Sequence, residues 1–146
     1  GMGARPRNKD EKIDPFMMPL NDKMFELMSA SDVKALDQQG VISAMPINYL
    51  RGASLNDKVV IADESQNFSV KELITLITRI GENTKMFICG DSMQSDINGK
   101  SGFNKLKELF NDDASAKQGI YNFEFDHKDI KRSEILKYIV KKLESI

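Results

Sequence analysis

Two abrupt apolar runs stand at the centre of the chain, Val59-Val60-Ile61-Ala62 and Met86-Phe87-Ile88-Cys89. Each ends in acidic and amide side chains: Asp63-Glu64-Ser65-Gln66-Asn67 after the first, Gly90-Asp91-Ser92-Met93-Gln94 after the second. Runs of this kind read as buried parallel strands, whose carboxyl ends are where α/β folds gather ligands. Between them, Ser69 precedes Leu73, Ile74, Leu76, Ile77 and Ile80, a pattern that predicts a capped amphipathic helix closed by Gly81. Upstream, Met17, Leu20, Met24, Leu27 and Met28 recur with helical spacing behind Pro15. Ser31-Asp32 reads as the cap of a short helix through Leu36, ended by Gly40. Val41 to Met45 is a candidate strand halted by Pro46, and Asn48 to Gly52 a loop or short helix.

Downstream, Ile97 to Gly102 predicts a polar turn, Phe103, Leu106, Leu109 and Phe110 a helix, and Asn111 to Gln118 a hydrophilic loop. Ile120 to Phe125 has the character of an edge or half-exposed strand. A last helix is expected from about Lys131, with Ile135, Leu136, Ile139, Val140 and Leu143 on one face. Strands alternating with helices imply a layered α/β domain with a mostly parallel sheet.

The length of 146 residues, 40% apolar and 29% charged, is enough for one domain with a real core. That domain is expected over residues 13–146, behind a flexible arm at 1–12 rich in Arg, Lys, Gly and Asp. Gly1 ahead of Met2 reads as a scar of tag removal, which would start the natural frame at Met2. A formal net charge of -1 supplies no global positive field for nucleic acid. Basic clusters at Arg5, Arg7 and Lys9 and from Lys128 to Lys142 keep nucleic acid as a weaker option. No apolar stretch approaches the roughly 20 residues that cross a bilayer, and no leader peptide is visible, so a cytoplasmic setting without membrane contact is expected. Cys89, the single cysteine, is expected to be a small buried core residue. The methionines at 17, 18, 24 and 28 read as adaptable packing, and His127 as a structural surface residue.

An Asp-Glu pair just past a buried strand is the pattern of a Walker B site: one acid holds the water shell of Mg²⁺ and the other orients the attacking water. The bland alternative for Asp63-Glu64 is an acidic strand end in solvent. The second strand shifts the balance, because parallel neighbours end at the same edge and Gln94 would stand beside Glu64. An amide there can hydrogen-bond a γ-phosphate or the attacking water, and Gln66 can do likewise. Arg51, Arg79 and Arg132 are candidates for neutralising phosphate charge; for each alone, a solvated side chain is the ordinary alternative. Arg132 is favoured by its place at the start of the last helix, whereas the Arg79 stem can simply cover core surface. Nowhere in these residues is there a Gly-x-x-x-x-Gly-Lys-Ser/Thr phosphate loop, so the pattern is that of half a nucleotide-hydrolysis site.

Asn48-Tyr49-Leu50-Arg51-Gly52-Ala53-Ser54-Leu55-Asn56-Asp57, leading into Val60-Ile61-Ala62-Asp63-Glu64-Ser65-Gln66-Asn67, resembles the PhoH family of phosphate-starvation-type ATPases, in wording closest to its phage members. The resemblance continues through Leu76–Gly81, Lys85–Asp91 and Gln94-Ser95-Asp96. It extends to Phe125–Arg132 near the end and to Asp10–Phe16 with Pro19-Leu20 at the start. It implies a three-layer, RecA-like P-loop fold, truncated here, that binds ATP and Mg²⁺ and hydrolyses the nucleotide. A ring-shaped oligomer and a nucleic-acid-linked role belong to the same picture. By position, Asp63 would support Mg²⁺ through water, Glu64 would activate the attacking water, and Gln94 would contact the γ-phosphate. Gln66 and Asp91 would line the nucleotide site, and Arg132 would be a charge-stabilising residue facing a neighbour's site. Arg51 has a family counterpart without an assigned role. Ser65 stands where the family usually has Ala, and Ser133-Glu134 where many members carry His-Pro.

The family's phosphate loop lies upstream of anything present here. The chain is therefore expected to be inactive or nearly so by itself, and to need a homo-oligomer or a separate polypeptide bearing that loop. The alternative is a non-catalytic interaction or regulatory module derived from such an ATPase.

Overall fold

The computed structural model describes residues 17–94, 101–129 and 131–146. The expectations for the arm at 1–12, for Pro15, for Ser95-Asp96, for the turn over 97–100 and for the His127 side chain fall outside them. The elements run α1 (Met18–Leu27), α2 (Ala30–Gln38), a 3-10 turn (Ile47–Leu50), β1 (Val59–Ala62), a 3-10 turn (Ser65–Asn67), α3 (Val70–Ile77), β2 (Lys85–Ile88), α4 (Phe103–Leu109), α5 (Asp113–Lys117), a 3-10 turn (His127–Asp129) and α6 (Glu134–Leu143). This is a mixed α/β chain whose two strands pair in one sheet. The pairing is parallel: the Lys85 N–H donates to the Lys58 carbonyl (3.0 Å) and the Cys89 N–H to the Ala62 carbonyl (2.8 Å), the same offset kept along both strands. Among the described residues no helix is long and apolar enough to cross a membrane.

The chain groups into two compact units, one holding the described residues up to Val59 with Thr75–Lys85, the other Val60–Ile74 with Met86–Ile146. In the first, Val33, Leu50, Leu55 and Leu76 are the buried apolar side chains. The cap of α2 is Ser29, not Ser31-Asp32: Ser29 keeps extended backbone and its Oγ accepts the Asp32 N–H at 3.2 Å. Gly40 follows with φ +64°, as a helix stop requires. Gly81 has a different role from the expected helix closure, since α3 already ends at Ile77. Its N–H donates to the Leu55 carbonyl at 2.8 Å, and a Cβ there would sit 2.6 Å from that oxygen, so only glycine allows the approach. Val41 to Met45 forms no strand. Val41 and Met45 are exposed, and apolar pattern without a partner backbone does not make a ladder.

In the second unit, Ala62 and Leu73 are buried together with the polar Ser65 and Gln66. Helix α3 begins with a reciprocal capping box: the Ser69 N–H donates to Glu72 Oε2 (2.8 Å) and the Glu72 N–H to Ser69 Oγ (3.3 Å). Donation from the Ser69 backbone, then from its hydroxyl, holds the Glu72 carboxyl below the ordinary glutamate value. The expected hydrophilic loop at 111–118 contains a helix, α5, because Asp112 caps it by accepting the Ser115 N–H at 2.8 Å. Ile120 to Phe125 is not a strand either. Asn122 donates to the Phe110 carbonyl (3.0 Å) and Glu124 pairs with Lys107 (3.0 Å), while Tyr121, Phe123 and Phe125 are exposed. Helix α6 starts after Ser133, whose Oγ accepts the Leu136 N–H at 3.4 Å, and its apolar residues Ile135, Leu136, Ile139 and Leu143 remain exposed. Cys89 is exposed rather than buried. It continues the alternation of exposed Lys85 and Phe87 on one face of β2, where successive side chains change sides.

Candidate functional site

The parallel register brings the two polar strand ends to one edge of the sheet. The Cys89 N–H closes on the Ala62 carbonyl, and the chain beyond β1 then turns back so that the Ser65 N–H donates to the Cys89 carbonyl at 2.9 Å. The turn is made at Glu64, whose backbone is left-handed at φ 52°, ψ 36°. That conformation is uncommon outside glycine, and such outliers gather at functional sites. Ser65, with no exposed surface, steadies the turn by donating its hydroxyl to the Ala62 carbonyl at 2.9 Å. Asp63 accepts the Glu64 N–H on Oδ1 at 2.9 Å, and both acids are exposed.

The side chains past the two strands form one hydrogen-bonded ring. Gln66 Nε2 donates to Glu64 Oε2 at 2.6 Å and, at 3.4 Å, to Gln94 Oε1. Gln94 Nε2 donates to Asp91 Oδ2 (3.1 Å), and Gln66 Oε1 accepts the Asp91 N–H (3.1 Å). Asp91 Oδ1 in turn accepts the Met93 N–H at 2.9 Å, fixing the loop that carries Gln94. Gln66 is only 4% exposed, whereas Glu64, Asp91 and Gln94 reach solvent. The ring thus presents two carboxylates and an amide outward from one buried amide.

The close approach of the chain past β2 is eased by glycine at residue 90. A Cβ at Gly90 would lie 3.0 Å from Gln66 Oε1, 3.1 Å from the Gln66 nitrogen and 3.1 Å from a Phe103 ring carbon. Neither Gly90 nor Ser65 stood out in the sequence as a site residue; the only signals were the Gly-Asp dipeptide and a small residue after Asp-Glu.

Of the sequence candidates, Gln66, Gln94 and Asp91 close the ring, Glu64 is held to it through Gln66, and Asp63 accepts the Glu64 N–H. Arg132 is exposed ahead of α6 and takes no part in the ring. Arg79, just past the end of α3, donates its Nε to the Thr75 carbonyl in the last turn of that helix at 3.2 Å and takes no part in the ring. Arg51 is exposed after the 3-10 turn.

The profile of the family described as PhoH-like protein matches residues 1–144. The chain belongs to the PhoH-like family. A PhoH-like protein of Bacillus subtilis (strain 168) is 33% identical over 141 residues, covering 95% of this chain and 43% of the relative. One of Synechocystis sp. is 30% identical over 145 residues, 98% of this chain and 43% of the relative. One of Mycobacterium tuberculosis (strain ATCC 25618 / H37Rv) is 34% identical over 113 residues, 76% of this chain and 32% of the relative. The chain therefore spans less than half the length of these PhoH-like relatives. Membership relates it to P-loop nucleoside-triphosphatases, and the small parallel sheet with its crossover helix is consistent with that relation.

Proposed function

We propose that this chain is the Walker B and sensor part of a PhoH-like ATPase domain, of the three-layer RecA-like kind. In this reading Asp63 would hold the water shell of Mg²⁺, and Glu64 would orient the attacking water. Gln94 would meet the γ-phosphate. Asp91 would complete the nucleotide side, with the buried Gln66 behind it as a support, and Arg132 would offer its charge to a neighbouring site. The observation that carries the reading is the Gln66 bridge, which joins Glu64 and Gln94 from two different strand ends.

The donor set suits the proposed cofactor. Asp63 takes one backbone donor on Oδ1, and its other oxygen has no protein partner among the described residues. Among those residues no three acidic, histidine or cysteine side chains converge on a point. Single hard carboxylate oxygens are what Mg²⁺ uses when it keeps most of its water. Bound Mg²⁺–ATP would supply the reactive phosphoryl group. The chain's own residues orient water (Glu64), hold the metal's hydration shell (Asp63) and donate an amide hydrogen (Gln94).

The phosphate cradle would come from outside these 146 residues, from an oligomer or a polypeptide bearing the loop. The test is calorimetry and turnover with Mg²⁺–ATP, on the chain alone and mixed with a phosphate-loop-bearing PhoH-like segment, beside Glu64→Gln. Turnover in the mixture that Glu64→Gln abolishes is expected; no turnover in an assembled pair would sink the reading. A non-catalytic interaction module is the second reading. The exposed Tyr121, Phe123 and Phe125 favour it, since aromatic side chains standing in solvent suit a protein contact.

A further inference from the structure

We propose that Gln66 is a positioning residue that couples Glu64 to Gln94. The inference rests on the ATPase reading for its purpose, but its geometry does not. Both amide hydrogens of Gln66 and one lone pair of its oxygen are used inside the protein. Oε1 accepts the Asp91 N–H at 3.1 Å, and the two Nε2 hydrogens serve Glu64 Oε2 at 2.6 Å and Gln94 Oε1 at 3.4 Å. At 4% exposure, nothing of it is left to meet a ligand.

The amide orientation is forced. The Asp91 N–H is a donor and needs Oε1, while the Glu64 carboxylate and the Gln94 carbonyl are acceptors and need Nε2. A flipped amide would set donor against donor and oxygen against carboxylate. Asp91 therefore decides which way Gln66 faces, and Gln66 decides where Glu64 and Gln94 stand. Gly90 admits this arrangement by leaving room beside Gln66 Oε1.

The consequence is a one-residue relay. Movement of Gln94 lengthens or shortens its contact to Gln66 Nε2, and the same nitrogen holds Glu64 by a short, charge-assisted bond. A sensor at the end of β2 and an acid at the end of β1 are thereby tied without direct contact. It also follows that Glu64→Gln is not a silent replacement here, because a neutral amide weakens the bond to Gln66 Nε2.

The test uses the intact chain without nucleotide, read by NMR. In Gln66→Met, which keeps the volume and removes all three bonds, exchange of the Asp91 backbone amide should quicken about tenfold. Gln94→Ala should shift the Glu64 carboxyl ¹³C resonance in the natural background and leave it unmoved in the Gln66→Met background. In Gln66→Asn, which keeps a neutral amide but is one methylene too short to span Glu64 and Gln94, the Gln94–Glu64 coupling should likewise vanish. This arm also serves if Gln66→Met does not fold. An effect of Gln94→Ala on Glu64 that survives either Gln66 substitution would overturn the inference, as would unchanged Asp91 exchange in folded Gln66→Met. A merely structural Gln66 would lower stability without selectively removing that coupling. Because no nucleotide is present, loss of ATP turnover elsewhere bears on the ATPase reading and leaves this outcome standing.

Discussion

Replacement of Gly90 by alanine sets two opposed effects against each other. Gly90 does not have a left-handed backbone, so alanine is allowed by conformation and would stabilise through the unfolded chain by about 0.4–1 kcal/mol. Against this stand three contacts of the new Cβ, at 3.0 Å to Gln66 Oε1, 3.1 Å to the Gln66 nitrogen and 3.1 Å to the Phe103 ring. One is backbone and another a ring edge, so the strain cannot be shed by swinging a flexible side chain. The Gln66 side chain cannot retreat either without stretching its 3.1 Å bond from the Asp91 N–H. Overpacking of this kind costs about 1–3 kcal/mol. The net expectation is destabilisation of roughly 0.5–2 kcal/mol. Urea unfolding should show a lower midpoint at an unchanged slope, and the Asp91 amide should exchange faster than in the natural chain. A midpoint that stays or rises would refute the packing argument, and unchanged Asp91 exchange would refute its link to the ring.

Four further outcomes follow from the hydrogen bonds and packing described above. Ser69→Ala removes the two bonds of the Ser69 hydroxyl to Glu72, leaving the backbone half of the capping box, and should lower stability by about 1 kcal/mol, measured by urea titration. Glu72 has a lowered folded-state pKa, so its contribution is complete above the ordinary glutamate value of about 4.3 and fades as pH falls through the lowered value; in Ser69→Ala the larger, backbone-held part of that acid dependence should persist and only the hydroxyl's part be lost. Ser65→Ala should be close to neutral, within about 1 kcal/mol, because the Ala62 carbonyl keeps its Cys89 donor and a buried hydroxyl is removed. Ser65→Val in thermal unfolding should be clearly worse, since the side chain has no exposed surface to expand into.

What the sequence determined was local. The two apolar runs, the Ser69-started helix and the polar strand ends are set by side-chain period and capping chemistry, which act within a few residues. They were enough to mark Asp63, Glu64, Gln66, Asp91 and Gln94. Where the signal was apolar pattern without a nearby backbone partner, as at Val41 to Met45 and Ile120 to Phe125, it misled, because a ladder needs a neighbour that no local pattern specifies. The cap shift to Ser29 and the helix at α5 show the converse: one side-chain oxygen in the right backbone conformation sets a boundary that hydrophobic spacing does not announce. Only the tertiary structure decided that Gln66 is the buried centre of the site, that Glu64 turns left-handed, and that a Cβ at Gly90 would be crowded by Gln66 and Phe103. These depend on the register between strands distant in sequence. A hydrogen-bond ring closes when that register brings donors and acceptors within about 3 Å, a condition no linear spacing encodes.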